Sequence, residues 1–290
     1  MSLVHAITGE QSRLRRASLY LFARYMEMPL LRWGYRLLRG ELRAIGANPI
    51  ARGILRWSVA APFGYLGDTA RPWPAPEVLR LIDGLEGAIA VGPCRCRAAH
   101  GACQHPLETD LVIRTGVEAW TRAFPRDYRL ISKEEAKGIV SACHDQGMWQ
   151  MLFVHCPVEQ HRSSHSRTHN RQAGGERGPA ANHAEAPPEL QGNEYVICNC
   201  CTCGCVPYIL NRDLGQGAYP LLRGSYLAHT DSSRCNGQGA CVEACPFSVR
   251  ALVDGRSQLV APCFGCGLCA SACPEGAIVM QPAGWEDEGR

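Results

Sequence analysis

Cys263-Phe264-Gly265-Cys266-Gly267-Leu268-Cys269-Ala270-Ser271-Ala272-Cys273-Pro274 sets the reading of this chain. Its spacing is C-x2-C-x2-C-x3-C-P. Three closely spaced thiolates can wrap one corner of an iron–sulfur cube, glycines let backbone N–H groups approach the sulfides, and the fourth cysteine points away to a second cluster. A sister run lies 28 residues upstream: Cys235-Asn236-Gly237-Gln238-Gly239-Ala240-Cys241-Val242-Glu243-Ala244-Cys245-Pro246. Three cysteines stand in register, Cys235 with Cys263, Cys241 with Cys269 and Cys245 with Cys273, whereas the fourth pair sets Gln238 against Cys266.

The rest of the composition agrees with metal chemistry. The chain has 290 residues, enough for roughly two domains, and its net charge of +3 argues against a general polyanion binder. Seventeen cysteines, many in C-x-C, C-C and C-x2-C spacings, read as metal ligands because adjacent cysteines do not readily satisfy disulfide geometry. Residues 1–10 lack the apolar run of a signal peptide, and no apolar stretch approaches the roughly 18 residues needed to cross a bilayer. A reducing cytoplasm is the expected location.

The N-terminal part, residues 1–74, reads as a basic helical segment. Residues 11–57 hold ten arginines, no lysine and two acids, Glu27 and Glu41. Over 30–45 a helical period places Arg32, Arg36, Arg39 and Arg43 on one stripe and Trp33, Leu37, Leu38, Leu42 and Ile45 opposite. Gly34 and Gly40 weaken that helix. The helix either packs on the domain with its arginines solvated, or lies on anionic lipid at the inner face of the membrane, or docks an acidic partner. No nucleic-acid reader motif accompanies the charge. On this reading residues 1–60 are dispensable for iron binding.

Residues 75–223 read as a small α/β cysteine-rich domain. A helix over 76–86 and a strand over 87–91 lead to Cys94-Arg95-Cys96 and Cys103, with Cys94 and Cys96 expected on one side of an extended chain. Ser132 and Glu135 form a capping box for a helix carrying Ala136, Ile139, Val140 and Cys143 inward. Residues 148–154 read as a strand. Cys143 and Cys156 are expected to be buried structural thiols. Residues 161–193, rich in His, Ser, Gly and Pro, read as a flexible insertion. Tyr195-Val196-Ile197 is a second strand delivering Cys198, Cys200, Cys201, Cys203 and Cys205. Cys94, Cys96, Cys103 and these five form one composite pool, able to hold one or two four-iron clusters, or a four-thiolate zinc ion.

From about residue 75 onward the chain resembles a family of anaerobic-type [4Fe–4S] binding proteins with a C-terminal dicluster ferredoxin domain of the bacterial type. The matching residues are Pro93-Cys94-Arg95-Cys96-Arg97, Cys103, Pro106-Leu107-Glu108, Glu134-Glu135-Ala136, Ile197-Cys198-Asn199-Cys200-Cys201 and the run 234–280. Asp110, Gly204, Gln238 and Gln150 look like departures, Asp110 and Gln238 where cysteine is expected and Gln150 where histidine is. The resemblance implies iron–sulfur binding, electron transfer and redox partner proteins. It also implies crossed ligand sets. Cys263, Cys266, Cys269 and Cys245 would hold a complete [4Fe–4S] cluster. Cys235, Cys241 and Cys273 would hold a [3Fe–4S] cluster or a [4Fe–4S] cluster with a labile iron, since an amide such as Gln238 is a poor iron ligand beside thiolate. Loss of that second cluster is the alternative.

The expected fold is α+β. Residues 224–282 should form two βαβ-like halves with pseudo-two-fold symmetry, a helix following each C-x3-C-P, and residues 283–290 a tail. An electron carrier is the leading function. An iron–sulfur oxidoreductase subunit with a substrate-facing middle cluster is the second, although no G-x-G-x-x-G after a strand and no P-loop is present. A thiol or metal redox sensor is the third.

Overall fold

The computed structural model describes residues 13–55, 69–101, 103–154, 194–214, 221 and 223–283. The insertion 161–193, Cys156 and most of the tail lie outside the described residues.

A six-stranded antiparallel sheet organises the first two thirds of the chain. Its strands are β1 Thr69–Trp73, β2 Ile89–Pro93, β3 Glu108–Ile113, β4 Arg129–Ile131, β5 Trp149–Val154 and β6 Glu194–Cys200, in the order β1-β5-β6-β3-β2-β4. Alternation along the strands sends side chains to two covered faces. Ile89, Val91, Leu111, Ile113, Leu152 and Ile197 pack on α5 Ala75–Gly84 and α8 Lys133–Asp145. Ala90, Val112 and Val196 face the other way, against Leu19 and Ala23 of the N-terminal helix and Ala119 and Trp120 of α7 Thr115–Ala123.

The N-terminal segment is built into this core. Helix α1 Arg13–Leu21 runs through a π turn, Phe22–Met26, into α2 Glu27–Leu38, and α3 Arg43–Ala47 and α4 Pro49–Leu55 follow. Phe22, Leu31 and Leu38 pack with Met151, Cys200, Cys205 and Ile209. The helical period expected over 30–45 therefore breaks at Arg39, and its apolar side is only in part the buried side: Leu37 and Leu38 face the core with Leu31 and Gly34, while Trp33 and Ile45 are exposed. Gly34 is the contact point, because a Cβ there would lie 3.4 Å from Val206 Cγ1 of α9 Val206–Leu214. Strand β1, grouped with the basic segment on sequence, is a sheet strand paired with β5. The described residues 13–55 and 69–74 thus pack into the cysteine-rich domain, and their removal would uncover its core.

Ser132 Oγ accepts from the Glu135 N–H at 3.1 Å and starts α8, but the Glu135 carboxylate turns to Arg129 at 2.7 Å, so the cap is one-sided.

Residues 224–282 carry two two-stranded sheets, β7 Tyr226–Thr230 with β10 Ile278–Pro282 and the hairpin β8 Arg250–Val253 with β9 Arg256–Leu259. Two short helices, α10 Ala240–Glu243 and α11 Leu268–Ser271, follow Gly239 and Gly267, whose backbones match at φ 86°, ψ −9° and φ 82°, ψ −9°. Each helix sits before its C-P step rather than after it. The reason is local: the proline has no N–H to give to a helix interior, so the helical turn closes ahead of it. This unit packs on the sheet through Trp149, Tyr208, Phe247 and Phe264.

Candidate metal centres

Sheet topology gathers the cysteines of the first domain. Strands β2 and β6 both run antiparallel to β3, so their C-terminal ends and the start of β3 share one edge. Cys94 follows β2, Cys198 and Cys200 end β6, and Asp110 is the third residue of β3. Cys94 and Cys96 are neighbours, as expected, but by a different geometry: Cys94 caps α6 Arg95–His100 and Cys96 lies in its first turn.

The eight-cysteine pool divides in two. Five thiols form a chain of side-chain contacts, Cys94–Cys96–Cys205–Cys200–Cys198. Asp110 closes its end, accepting from Cys198 Sγ at 3.3 Å and from the Tyr128 hydroxyl at 2.7 Å. Burial raises the Asp110 carboxyl above the usual carboxylate range against the pull of both donors. Hydrogen bonding to Cys96, then burial, raises the Cys94 thiol, and burial raises Cys200. Burial would also raise Cys205, but hydrogen bonds from Cys200 and Cys96 and the Tyr208 N–H bring it down to about 6. Five buried and half-buried thiols in contact ionise together only beside a cation, which fits a metal group.

The other group is Cys103, Cys201 and Cys203, joined by His105, with all four ligand atoms within 4.8 Å of one another. Cys143, read from sequence as remote from the ligands, packs with Met148 directly behind Cys201 and Cys103. Gly204 has a packing reason: a Cβ there would meet Arg97 Cγ at 3.0 Å and Cys103 Cβ and Cys201 Sγ at 3.3 Å.

Arg97 joins both groups. It is buried, donates to the Asn199 carbonyl at 3.0 Å and to Thr109 Oγ1, and reaches Cys201 Sγ at 3.9 Å. Burial disfavours its charge, yet the neighbouring Cys94, Cys201 and Cys200 sulfurs, once ionised, raise its pKa. Gln150, the expected histidine position, is fully buried and donates to Asn199 Oδ1 at 3.1 Å beneath the same edge. Asn199 in turn donates to the Thr109 carbonyl at 2.9 Å.

In the C-terminal unit two neighbouring hollows are each lined by one set of cysteines. Cys245, Cys263, Cys266 and Cys269 line one, with Phe247, Phe264 and Arg250. Cys235, Cys241, Cys273 and Gln238 line the other. Backbone N–H groups address the sulfurs: Gly265 to Cys263 and Ala277 to Cys273 at 3.3 Å, and Ser257 to Cys235 at 3.4 Å. Gly265, at φ 79°, must be glycine because a Cβ would stand 2.4 Å from the Tyr226 carbonyl oxygen.

Arg250, only 3% exposed, lines the first of these hollows and bonds to Ser257 of the second. It donates to Thr230 Oγ1 at 2.6 Å, Ser257 Oγ at 2.9 Å and the Ala228 carbonyl at 3.0 Å, while its Nε has no acceptor. Cys241 Sγ donates to the same Ser257 at 3.1 Å. A buried guanidinium in the lining of a four-thiol hollow suits an anionic cluster bound there.

Spacing in the sequence does not single out Arg250, Arg97 as a bridging charge, or His105. His105 carried a readable signal, the C-x-H pair with Cys103. Nothing marked Arg250, whose contacts come from strands distant in sequence.

The chain is similar to a protein of Methanocaldococcus jannaschii named an uncharacterized ferredoxin, 38% identical over 86 residues, which are 29% of this chain. The match spans about half, 51%, of that relative's length. No family profile and no solved structure match the chain.

Proposed function

We propose that this chain is an iron–sulfur electron-transfer protein with a ferredoxin-like dicluster unit at residues 224–282. The observation that carries the reading is the cavity lined by Cys245, Cys263, Cys266 and Cys269, four thiols from two separate motifs. The similarity of part of the chain to a protein named a ferredoxin supports it. A [4Fe–4S] group bound there supplies one-electron outer-sphere transfer at a potential set by hydrogen bonds, charge and burial. The protein's contributions are the Gly265 N–H to Cys263 Sγ and the buried Arg250 charge. In the neighbouring cavity, Gln238 in place of a thiol leaves a three-cysteine set for a [3Fe–4S] cluster or a labile four-iron one.

The middle five-thiol group is the next station, with four of Cys94, Cys96, Cys198, Cys200 and Cys205 as ligands. A water-poor aromatic bridge supports this assignment. Phe264 stacks on Phe247 at 4.3 Å, and Phe247 meets Trp149 at 5.6 Å. Trp149 is fully buried in the core cluster that also contains Cys200, Cys205 and Cys266. No described helix is long and apolar enough to cross a membrane. The exposed arginines Arg32, Arg36 and Arg43 and the exposed Ile50 and Ile54 support a peripheral contact of the N-terminal helices with anionic lipid.

Anaerobic iron and sulfide analysis with EPR tests the proposal. The reduced protein should give a four-iron signal, and Cys266→Ser should remove the component that belongs to the C-terminal unit. Protein that takes up no iron under reconstitution would refute it.

One observation favours a second reading, a substrate-facing middle cluster. A small cavity is lined by Cys94, Cys96, Cys198, Asp110, Arg95 and Glu27 among apolar side chains. A substrate-dependent change in the EPR spectrum would establish it.

A further inference from the structure

Beyond the redox clusters, we infer that Cys103, His105, Cys201 and Cys203 form a separate mononuclear zinc site that staples the loop after α6 to the turn after β6. The distances between the donor atoms carry this. Cys103 Sγ stands 3.0 Å from Cys203 Sγ and 3.5 Å from Cys201 Sγ, and Cys203 Sγ 3.4 Å from Cys201 Sγ. His105 Nδ1 completes the group at 3.2 Å from Cys103 Sγ and 3.6 Å from Cys203 Sγ. Zinc–sulfur bonds of about 2.3 Å in a tetrahedron put neighbouring sulfurs about 3.8 Å apart. The sulfur–sulfur edges, 3.0, 3.4 and 3.5 Å, are shorter than that value, so a single ion seats once the thiols move outward. A four-iron cluster instead puts each thiolate on a different iron, pointing outward from the cube. Its sulfurs stand well beyond a tetrahedral edge, so these four atoms need a smaller movement to take a single ion than to take a cluster.

The donor set and its surroundings point the same way. Three thiolates and an imidazole are one of the usual closed sets of structural zinc. Zn²⁺ with three thiolates carries one net negative charge, and Arg97, 3.9 Å from Cys201 Sγ, is the buried cation that meets it. The absence of a side chain at Gly204 lets Cys103 and Cys201 approach. Cys103 and Cys201 are 98 residues apart, so the ion closes a long loop. The segments it joins carry Cys96 on one side and Cys200 and Cys205 on the other, and this staple holds the five-thiol cage in register.

The test is zinc and iron analysis of the full chain purified anaerobically, with zinc-edge X-ray absorption. Wild type should contain one zinc per chain, with three sulfur neighbours at about 2.3 Å and one nitrogen at about 2.0 Å. His105→Cys should keep the zinc with four sulfur neighbours. Cys203→Ser, at the exposed rim, should lower zinc at least tenfold under chelator challenge while iron in the C-terminal unit stays unchanged. Absence of zinc from wild type, a zinc environment without nitrogen, or iron in place of zinc at His105→Cys would overturn the inference. Zinc content is read independently of iron, so failure here leaves the electron-transfer reading standing, and the reverse also holds.

Discussion

Glu27→Gln offers a sharp test of how burial sets charge beside the five-thiol group. Glu27 is 9% exposed, accepts from Arg95 Nε and Trp120 Nε1 at 3.3 Å each, and lines the cavity beside Cys94 and Cys96. Burial pushes its carboxyl from 4.5 to about 8, against the pull of Arg95. The native state therefore binds this proton more tightly than the unfolded chain. The contribution is fully present below about pH 4.5 and is lost as pH rises through about 8. By pH 7 the loss amounts to about 3 kcal/mol, at 1.36 kcal/mol per pKa unit. Glutamine matches the neutral acid in shape and keeps a carbonyl oxygen for Arg95 and Trp120. The variant should lack this pH dependence. Relative to wild type it should gain stability steadily between pH 5 and pH 8, by about 3 kcal/mol at neutrality. The assay is anaerobic urea unfolding followed by tryptophan fluorescence, wild type and variant side by side at pH 5, 6, 7 and 8. If Glu27 is instead an ionised partner of Arg95, glutamine leaves a buried guanidinium unpaired. Destabilisation of about 3–5 kcal/mol at pH 7 would then refute the reasoning.

Other perturbations test the remaining contacts. Oxidised wild type should show a three-iron EPR signal, and Gln238→Cys should convert it into a second reducible four-iron centre; two stable four-iron centres in wild type would contradict the role given to Gln238. Phe247→Ala removes a half-buried ring that touches Trp149, Tyr208 and Phe264. It should cost about 2 kcal/mol and slow reduction of the middle centre, read by rapid-freeze EPR. Deleting residues 1–60 strips Leu19, Phe22, Leu31, Leu37 and Leu38 from the core, each worth about 1.5–3 kcal/mol. The sheet domain should no longer fold, and iron content should fall; retained middle-domain iron would refute this. Ile50→Ser with Ile54→Ser, at positions 74% and 62% exposed, should leave folding intact and lower sedimentation with vesicles of phosphatidylserine and phosphatidylcholine at least threefold. Unchanged sedimentation would leave these helices a packing role alone.

Much of the C-terminal unit is legible in the amino-acid sequence by itself. Cluster spacing is local: a turn holding C-x2-C-x2-C needs glycine where the backbone turns left-handed, and Gly237, Gly239, Gly265 and Gly267 all have positive φ. The 28-residue internal repeat alone sets Gln238 opposite Cys266. Strand identity is legible too, because Ile89–Val91 and Tyr195–Ile197 are short apolar runs bounded by polar or turn residues.

What needed the tertiary structure was everything set by contacts between distant segments. Helix period alone gave α2 an apolar side. The buried side was fixed by what lay opposite: Val206 reaches Gly34, leaving Trp33 in solvent. The antiparallel order of β2, β3 and β6 brought Asp110, Cys94 and Cys198 to one edge, and sequence carries no marker of strand order. Division of the eight cysteines followed from that edge. Cys205 turns inward toward Cys96 and Cys200, while Cys201 and Cys203 turn outward to Cys103 and His105. Residue spacing in C-C-x-C-x-C is compatible with either grouping. Only the direction of each Sγ, fixed by the strand end and the start of α9, separates a five-thiol cage from a three-thiol, one-imidazole site.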